Sequence, residues 1–221
     1  MGTHALILTL DLLGVFANGL LGGAVARSKD LDLFGFAAVG LISGLGGGII
    51  RDVLLEHGTP VALTNPAYIP TALAGAGVAF VFGVEHRTWD RAFILVDAAA
   101  LSLWATAGAL KALDDGLGWL PEVLIGTITA IGGAVTRDVM LQRVPAVFTQ
   151  GTLYATVAIV VAAIQVSLAG APGLSTGGAT TLAIAVGVAL RLIAYWRGWQ
   201  LPRGFDWKIG LRAQDGPGEQ R

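Results

Sequence analysis

The chain carries one phrase twice. GLGGGIIRDVLL occupies residues 44–55 and AIGGAVTRDVML residues 130–141, and in both an apolar run is interrupted by glycines and an Arg-Asp pair. A shift of 86 positions places Asp11 on Asp97, Gly22 on Gly108, Gly40 on Gly126, Gly46-Gly47 on Gly132-Gly133 and Arg51-Asp52-Val53 on Arg137-Asp138-Val139. About a dozen of the 45 positions from 11 to 55 are then identical without a gap. With a one-residue adjustment Pro60 falls on Pro145, and Thr64-Asn65 on Thr149-Gln150. Self-similarity at a fixed period marks a duplicated structural unit. The fold is constrained most by this repeat, because the number of helices in the unit decides how its two copies face each other.

Composition says what surrounds those helices. Hydrophobic residues make up 54% of the 221 and charged residues 13%, with a mean hydropathy of +0.71. Soluble domains carry about 25% charged residues, so a bilayer, not a single soluble core, is expected to cover this surface. A net charge of −1 gives no basic footprint for nucleic acid. The absence of Cys excludes disulfides, thiolate metal sites and Cys nucleophiles. The start, MGTHALILTLDLL, has no Lys or Arg ahead of its apolar run and reads as a first membrane span, not a cleaved signal peptide.

A hydrocarbon core about 30 Å thick needs about 20 apolar residues per helix. That measure predicts seven spans, at 5–26, 33–55, 68–84, 91–113, 120–141, 151–168 and 177–196. Cations divide between the sides: Arg27, Lys29, Arg87, Arg91, Arg143, Arg197, Arg203, Lys208 and Arg212 fall on one, and only His4, His57 and Lys111 on the other. The first side is therefore read as cytoplasmic, with the N-terminus outside. Trp89, Trp196, Trp199 and Trp207 lie on that same side, as an interfacial belt would. Residues 1–196 read as a single transmembrane domain and 197–221 as a cytoplasmic polar tail.

Each unit holds three spans, an odd number, so the second copy enters the membrane upside down. The fold class is thus an all-α membrane protein with an inverted 3+3 repeat, 5–84 and 91–168, plus an extra helix at 177–196. In many transport proteins of this build the site lies near the midplane and is formed by discontinuous helices.

Glycine costs about 1 kcal/mol relative to Ala inside a helix. Gly44, Gly46, Gly47 and Gly48 are expected to break or kink span two, and Gly132 and Gly133 span five. The alternative is close packing through small residues, which suits Gly14 and Gly22, or Gly75 and Gly77. Asp11 and Arg51-Asp52 fall in the outer parts of their spans, Asp97 and Arg137-Asp138 in the inner parts. The pairs Asp11–Arg51 and Asp97–Arg137 follow, related by the pseudo-two-fold; they brace the protein, line a path, or do both. Asn18 and Trp104 occupy matched positions and read as helix–helix contacts. Lys111 and Arg191, near span ends, read as lipid contacts by snorkelling or as a gate. The three His residues lack metal-ligand spacing, and no G-x-S-x-G, Walker or zincin motif occurs, so the chain reads as a non-enzyme without cofactor or metal.

Two glycine runs each followed by Arg-Asp, three-plus-three-plus-one spans and an outward N-terminus resemble the trimeric intracellular cation (TRIC) channels. The bacterial and archaeal members, grouped with a glycine-transporter family, are the nearer likeness, over residues 11–196. GGGIIRD carries the full motif; GGAVTRD departs at Ala134. Animal members are described as carrying a basic lipid-binding motif where this chain has LKALDDGLGW, with Lys111 alone followed by acids. The resemblance implies a homotrimer in the prokaryotic plasma membrane, in contact with its lipids, each protomer conducting K⁺ and Na⁺ through its own pore. It puts Gly46, Gly47, Gly48, Gly132 and Gly133 at the pore kinks, with Arg51, Asp52, Arg137 and Asp138 beside them. Gly14, Asn18 and Gly22, at four-residue spacing, offer a seam for assembly. A secondary transporter of a small neutral or zwitterionic solute such as glycine is the second reading, and a non-conducting structural subunit the third.

Overall fold

The computed structural model describes residues 3–82, 87–149 and 153–201, with the side chains of 87–91 and 149 outside the description. His86, Gln150, Gly151 and the tail from residue 202, with Arg203, Trp207, Lys208 and Arg212, lie outside the described residues, as do the side chains of Arg87, Trp89 and Arg91. Nine helices occur among the described residues: α1 (Thr3–Arg27), α2 (Leu33–Leu54), α3 (Val61–Thr64), α4 (Tyr68–Val81), α5 (Arg87–Asp114), α6 (Trp119–Met140), α7 (Ala146–Thr149), α8 (Tyr154–Leu168) and α9 (Thr176–Arg197).

Five are long and apolar enough to cross a bilayer: α1, α2, α5 over Ala92–Asp114, α6 and α9. Helices α4 and α8, expected as spans 68–84 and 151–168, are apolar but have 14 and 15 residues. At 1.5 Å per residue that is about 21–23 Å, short of a hydrocarbon core of about 30 Å. Side-chain caps fix two of the starts. Asp32 accepts a 2.8 Å hydrogen bond from the Gly35 amide at α2, and Ser175 a 3.1 Å bond from the Gly178 amide at α9.

The repeated phrase ends its helices without breaking them. Both α2 and α6 run as single α-helices through their glycines, which corrects the expected breaks at Gly44–Gly48 and Gly132–Gly133. They stop two residues after the Arg-Asp pairs by the same device. Glu56 and Gln142 both take the left-handed conformation at φ 54°, and the next amides, of His57 and Arg143, donate to the carbonyls of Asp52 and Asp138 at 3.1 and 3.0 Å. The single turns α3 and α7 follow directly on Pro60 and Pro145.

What the glycines provide is proximity. A Cβ at Gly47 would lie 2.2 Å from the Thr129 carbonyl oxygen, and one at Gly133 2.3 Å from that of Ser43. Helices α2 and α6 therefore cross backbone to backbone, a contact open only to residues without a side chain. The same holds between α1 and α4, where Gly75 approaches the Phe16 carbonyl, whereas Gly77 faces open space. Gly14 is covered by Trp104 and Gly22 by Ser43 and Val39 of α2. The expected assembly seam on α1 is thus already spent inside the protomer, and Asn18 beside it is buried.

The two halves pack alike. Helix α1 lies against α2 and α4, as α5 lies against α6 and α8; α1·α5 and α2·α6 join the halves, and α9 rests on α5 and α8. Helix α1 buries most of its circumference and leaves a single stripe through Leu13 and Phe16 exposed.

Candidate functional site

Ion pairs held between these helices collect in two clusters. In the amino-terminal one, Arg51 donates from Nη1 and Nη2 to both carboxylate oxygens of Asp11, at 2.8 and 2.9 Å, and from Nε to Oδ1 of Asp52 at 2.9 Å. The Tyr68 hydroxyl donates to Asp11 at 3.0 Å, Lys111 of α5 to Asp52 at 2.7 Å, and the Val61 amide to the second Asp52 oxygen at 2.9 Å. Asp11, Arg51 and Asp52 are each about 1% exposed. Such burial of charge is tolerable because every carboxylate and most of the guanidinium is met by a partner of opposite sign. The Arg51 guanidinium also lies 5.9 Å from the centre of a Trp104 ring.

The carboxy-terminal cluster repeats half of this. Arg137 donates from Nε to Asp138 at 3.0 Å, the Ala146 amide donates to the other Asp138 oxygen at 3.2 Å, and the Tyr154 hydroxyl donates to Asp97 at 3.1 Å. These match Arg51–Asp52, Val61–Asp52 and Tyr68–Asp11 at offsets of 85 or 86 residues. Two partners differ. Asp138 takes its second cation from Arg143 in its own following loop, at 2.7 Å, not from another helix. Asp97 takes Arg191 of α9, at 3.2 Å, with that guanidinium stacked 4.8 Å from the Tyr154 ring.

The expected Asp11–Arg51 pair is therefore present, and the expected Asp97–Arg137 pair is replaced. Among the described residues Arg137 bonds only to Asp138, because the extra helix supplies Asp97 with a different arginine. Lys111 and Arg191, read as lipid contacts by snorkelling or as a gate, hold the carboxylates of Asp52 and Asp97. Tyr68 and Tyr154 were missed from sequence, although they fall 86 residues apart and the same repeat shift finds them. The pairing of Arg143 with Asp138 had no sequence signal, since its counterpart by position, His57, pairs with Asp115.

Each cluster lies under its own cavity. One of about 530 Å³ reaches His4, Asp11, Tyr68, Lys111 and Asp115; another of about 290 Å³ reaches Asn18, Val25, Asp97, Arg137 and Arg191. Along α1 the first cavity is lined by residues up to Asp11 and the second by residues from Asn18 onward; along α5 the order is reversed. The cavities therefore lie toward opposite ends of both helices, separated by about 10 Å of α1 at 1.5 Å per residue. Trp104, midway between Asp97 and Lys111 on α5, occupies that level, 1% exposed and packed on Gly14 and Gly48.

An all-α membrane protein with two charge-lined cavities placed back to back between matching halves is the class that fold and site define. The chain belongs to the glycine transporter family, whose model matches residues 8–83 and again 94–170. A UPF0126 membrane protein of Deinococcus radiodurans is 41% identical over 150 residues, covering 67% of this chain and 70% of that one. The UPF0126 inner membrane protein YadS of Escherichia coli K12 is 29% identical over 156 residues, 70% of this chain and 75% of its own. Among solved structures, the TRIC trimeric intracellular cation channel orthologue from Rhodobacter sphaeroides is 31% identical, with a TM-score of 0.79 over 86% of this chain and 98% of that one.

Proposed function

We propose that this chain is a protomer of a monovalent cation channel, with the path running between the two cavities inside the protomer. The observation that carries this reading is the pair of cavities at opposite ends of α1 and α5, each floored by a neutralised Asp–Arg–Tyr cluster. The likeness to the cation channel from Rhodobacter sphaeroides supports it. In this reading Asp11, Arg51, Asp52, Asp97, Arg137 and Asp138 line the path and set its field. Arginines are compatible with a cation path where carboxylates neutralise them, and can act as a barrier. Trp104 closes the waist where Gly14 and Gly48 leave room for its ring, and Lys111 and Arg191 are gate elements holding the carboxylates of the two cavities.

The proposed topology has seven crossing helices, α1, α2, α4, α5, α6, α8 and α9. The two units, 5–84 and 91–168, form an inverted repeat, α9 is the extra helix, and together they make one domain over 1–196. The double match of one family model supports the repeat. The N-terminus is outside and the tail from 197 cytoplasmic, in a plasma membrane whose lipids contact the outer faces. The protomers form a homotrimer and conduct K⁺ and Na⁺ without enzymatic chemistry. An apolar groove on α2, lined by Leu41, Ile42, Leu45, Ile49 and Ile50, supplies a face for the subunit contact in place of the buried α1 seam.

Purified protein in planar bilayers should give discrete unitary currents that reverse at the cation equilibrium potential in asymmetric KCl. Absence of such steps, with saturable uptake of radiolabelled glycine, would overturn the channel in favour of the second reading, a secondary transporter. The glycine transporter description of the family model favours that second reading.

A further inference from the structure

The turns that end α2 and α5 are tied to each other in a closed circuit. Lys111 of α5 donates to the Asp52 carboxylate of α2 at 2.7 Å. Beyond this pair, Nε2 of His57 lies 2.8 and 2.9 Å from the two carboxylate oxygens of Asp115. The backbone closes the circuit on both sides. The His57 amide donates to the Asp52 carbonyl at 3.1 Å, and the Asp115 amide to the Lys111 carbonyl at 3.2 Å. Movement of His57 against Asp115 is therefore transmitted to the ends of both helices.

His57, Lys111 and Asp115 all line the cavity of about 530 Å³. The Lys111 and Asp52 side chains are 12% and 1% exposed, those of His57 and Asp115 32% and 27%. The second tie thus sits where the cavity meets water. Its strength depends on one proton. A doubly protonated imidazole is a cation facing a carboxylate, whereas the neutral ring offers a single N–H donor without charge. Histidine changes charge between pH 5 and 8. Glu56 and Asp114 flank the pair along the chain, and His4 and Asp11 of α1 and Tyr68 of α4 line the same cavity. Asp11 is engaged by Arg51 and Tyr68, and His4 is the other histidine among the described lining residues. The second half has no such tie. The repeat shift takes His57 to Arg143, Asp115 to Lys29 and Lys111 to Val25. Two cations stand at the positions of the pair, and Arg143 turns back to Asp138.

We propose that His57 and Asp115 are a proton-operated latch on the mouth of this cavity, shut when His57 is protonated and loosened when it is neutral. The device is one-sided, because the other half carries a permanent cation where this one carries a titratable group. In a channel, acid on the N-terminal side then lowers the cation current: the latch narrows the mouth, and the imidazolium cancels the charge of Asp115. That consequence rests on the channel reading; the latch itself does not.

The chain has no Cys, so Thr59→Cys and Leu117→Cys place a pair of spin labels on exposed positions of the two turns. Pulsed electron-paramagnetic distance measurements on the full chain should give one short population at pH 5 and a longer, broader one at pH 8. The ratio of shut to open should change by up to about fivefold, the factor a partly exposed ion pair supplies. His57→Gln and Asp115→Asn should each abolish the dependence on pH, and His4→Gln should keep it. A distance that ignores pH, a dependence that survives His57→Gln, or one that disappears with His4→Gln would overturn the latch. The same pH step in planar bilayers separates the two readings. A current that falls at pH 5 alongside the distance change supports both, and a distance change in protein that passes no current leaves the latch and removes the channel. A current indifferent to pH beside a responding distance would overturn the latch's control of the mouth.

Discussion

Asp11 and Asp97 occupy equivalent positions but are held differently, and the difference is measurable. Asp11 is gripped through both oxygens by Arg51, with side-chain exposures of 1% and 2% for the pair. Removing one partner of a buried ion pair costs about 3–5 kcal/mol, because the other charge is left uncompensated. Asp11→Ala should therefore lower the unfolding midpoint strongly in detergent, and the double charge reversal Asp11→Arg with Arg51→Asp should recover part of the loss. No recovery would refute the pairing as the cause. Asp97→Ala should cost less, since its contact to Arg191 is single, 3.2 Å long and 17% exposed on the aspartate side; equal losses at the two sites would contradict the geometry. The sequence shows that both aspartates need a cation, because a lone charge in hydrocarbon is expensive. Which cation reaches Asp97 depends on where α9 docks, and helix docking leaves no mark in a one-dimensional repeat.

Among the helices, the glycines separate two physical accounts. As hinges, all the glycines of the motif would tolerate Ala with only a change in flexibility. As contact points they differ by what stands opposite. Gly47→Ala and Gly133→Ala place a methyl group within 2.2 and 2.3 Å of a carbonyl oxygen on the crossing helix. Each should cost about 1–3 kcal/mol by forcing α2 and α6 apart, read as a drop in thermal midpoint. Gly77→Ala, with nothing nearby, should instead gain up to about 1 kcal/mol from helix propensity. A neutral Gly47→Ala would return the motif to the role of a hinge. The doubled motif was legible as special from its spacing alone, but a run of glycines signals a bend and a close approach with the same letters. Only the position of Thr129 and Ser43 across the interface distinguishes them.

For the whole molecule, the absence of Cys makes topology directly testable. A His4→Cys variant should react with an impermeant maleimide on intact cells, and an Arg212→Cys variant only after permeabilisation. Both termini labelling from the same side would remove one crossing, and α4 or α8, the short helices, would be the first to be reassigned. Trp104 offers the matching functional test. With Trp104→Ala, the ring that separates the two cavities is removed, and open probability in planar bilayers should rise. A fall, in protein of unchanged thermal stability, would show that the path does not run past this residue.

Apolar length, charge scarcity and the shift of 86 residues are properties of the chain read in order, so the sequence alone determined a helical membrane protein, its duplicated units and the aspartates and most of the arginines of the two clusters. It also carried the tyrosines, Tyr68 and Tyr154, to anyone applying that same shift. Tertiary structure alone decided that the motif ends its helices, that its glycines bring α2 against α6, and that Arg191 displaces Arg137 from Asp97. The reason is physical: hydrophobicity and periodicity act along the chain, whereas partner choice is settled by whichever side chain arrives within about 3 Å. That distance belongs to the packing of helices far apart in sequence, and there the extra helix makes two equivalent halves unequal.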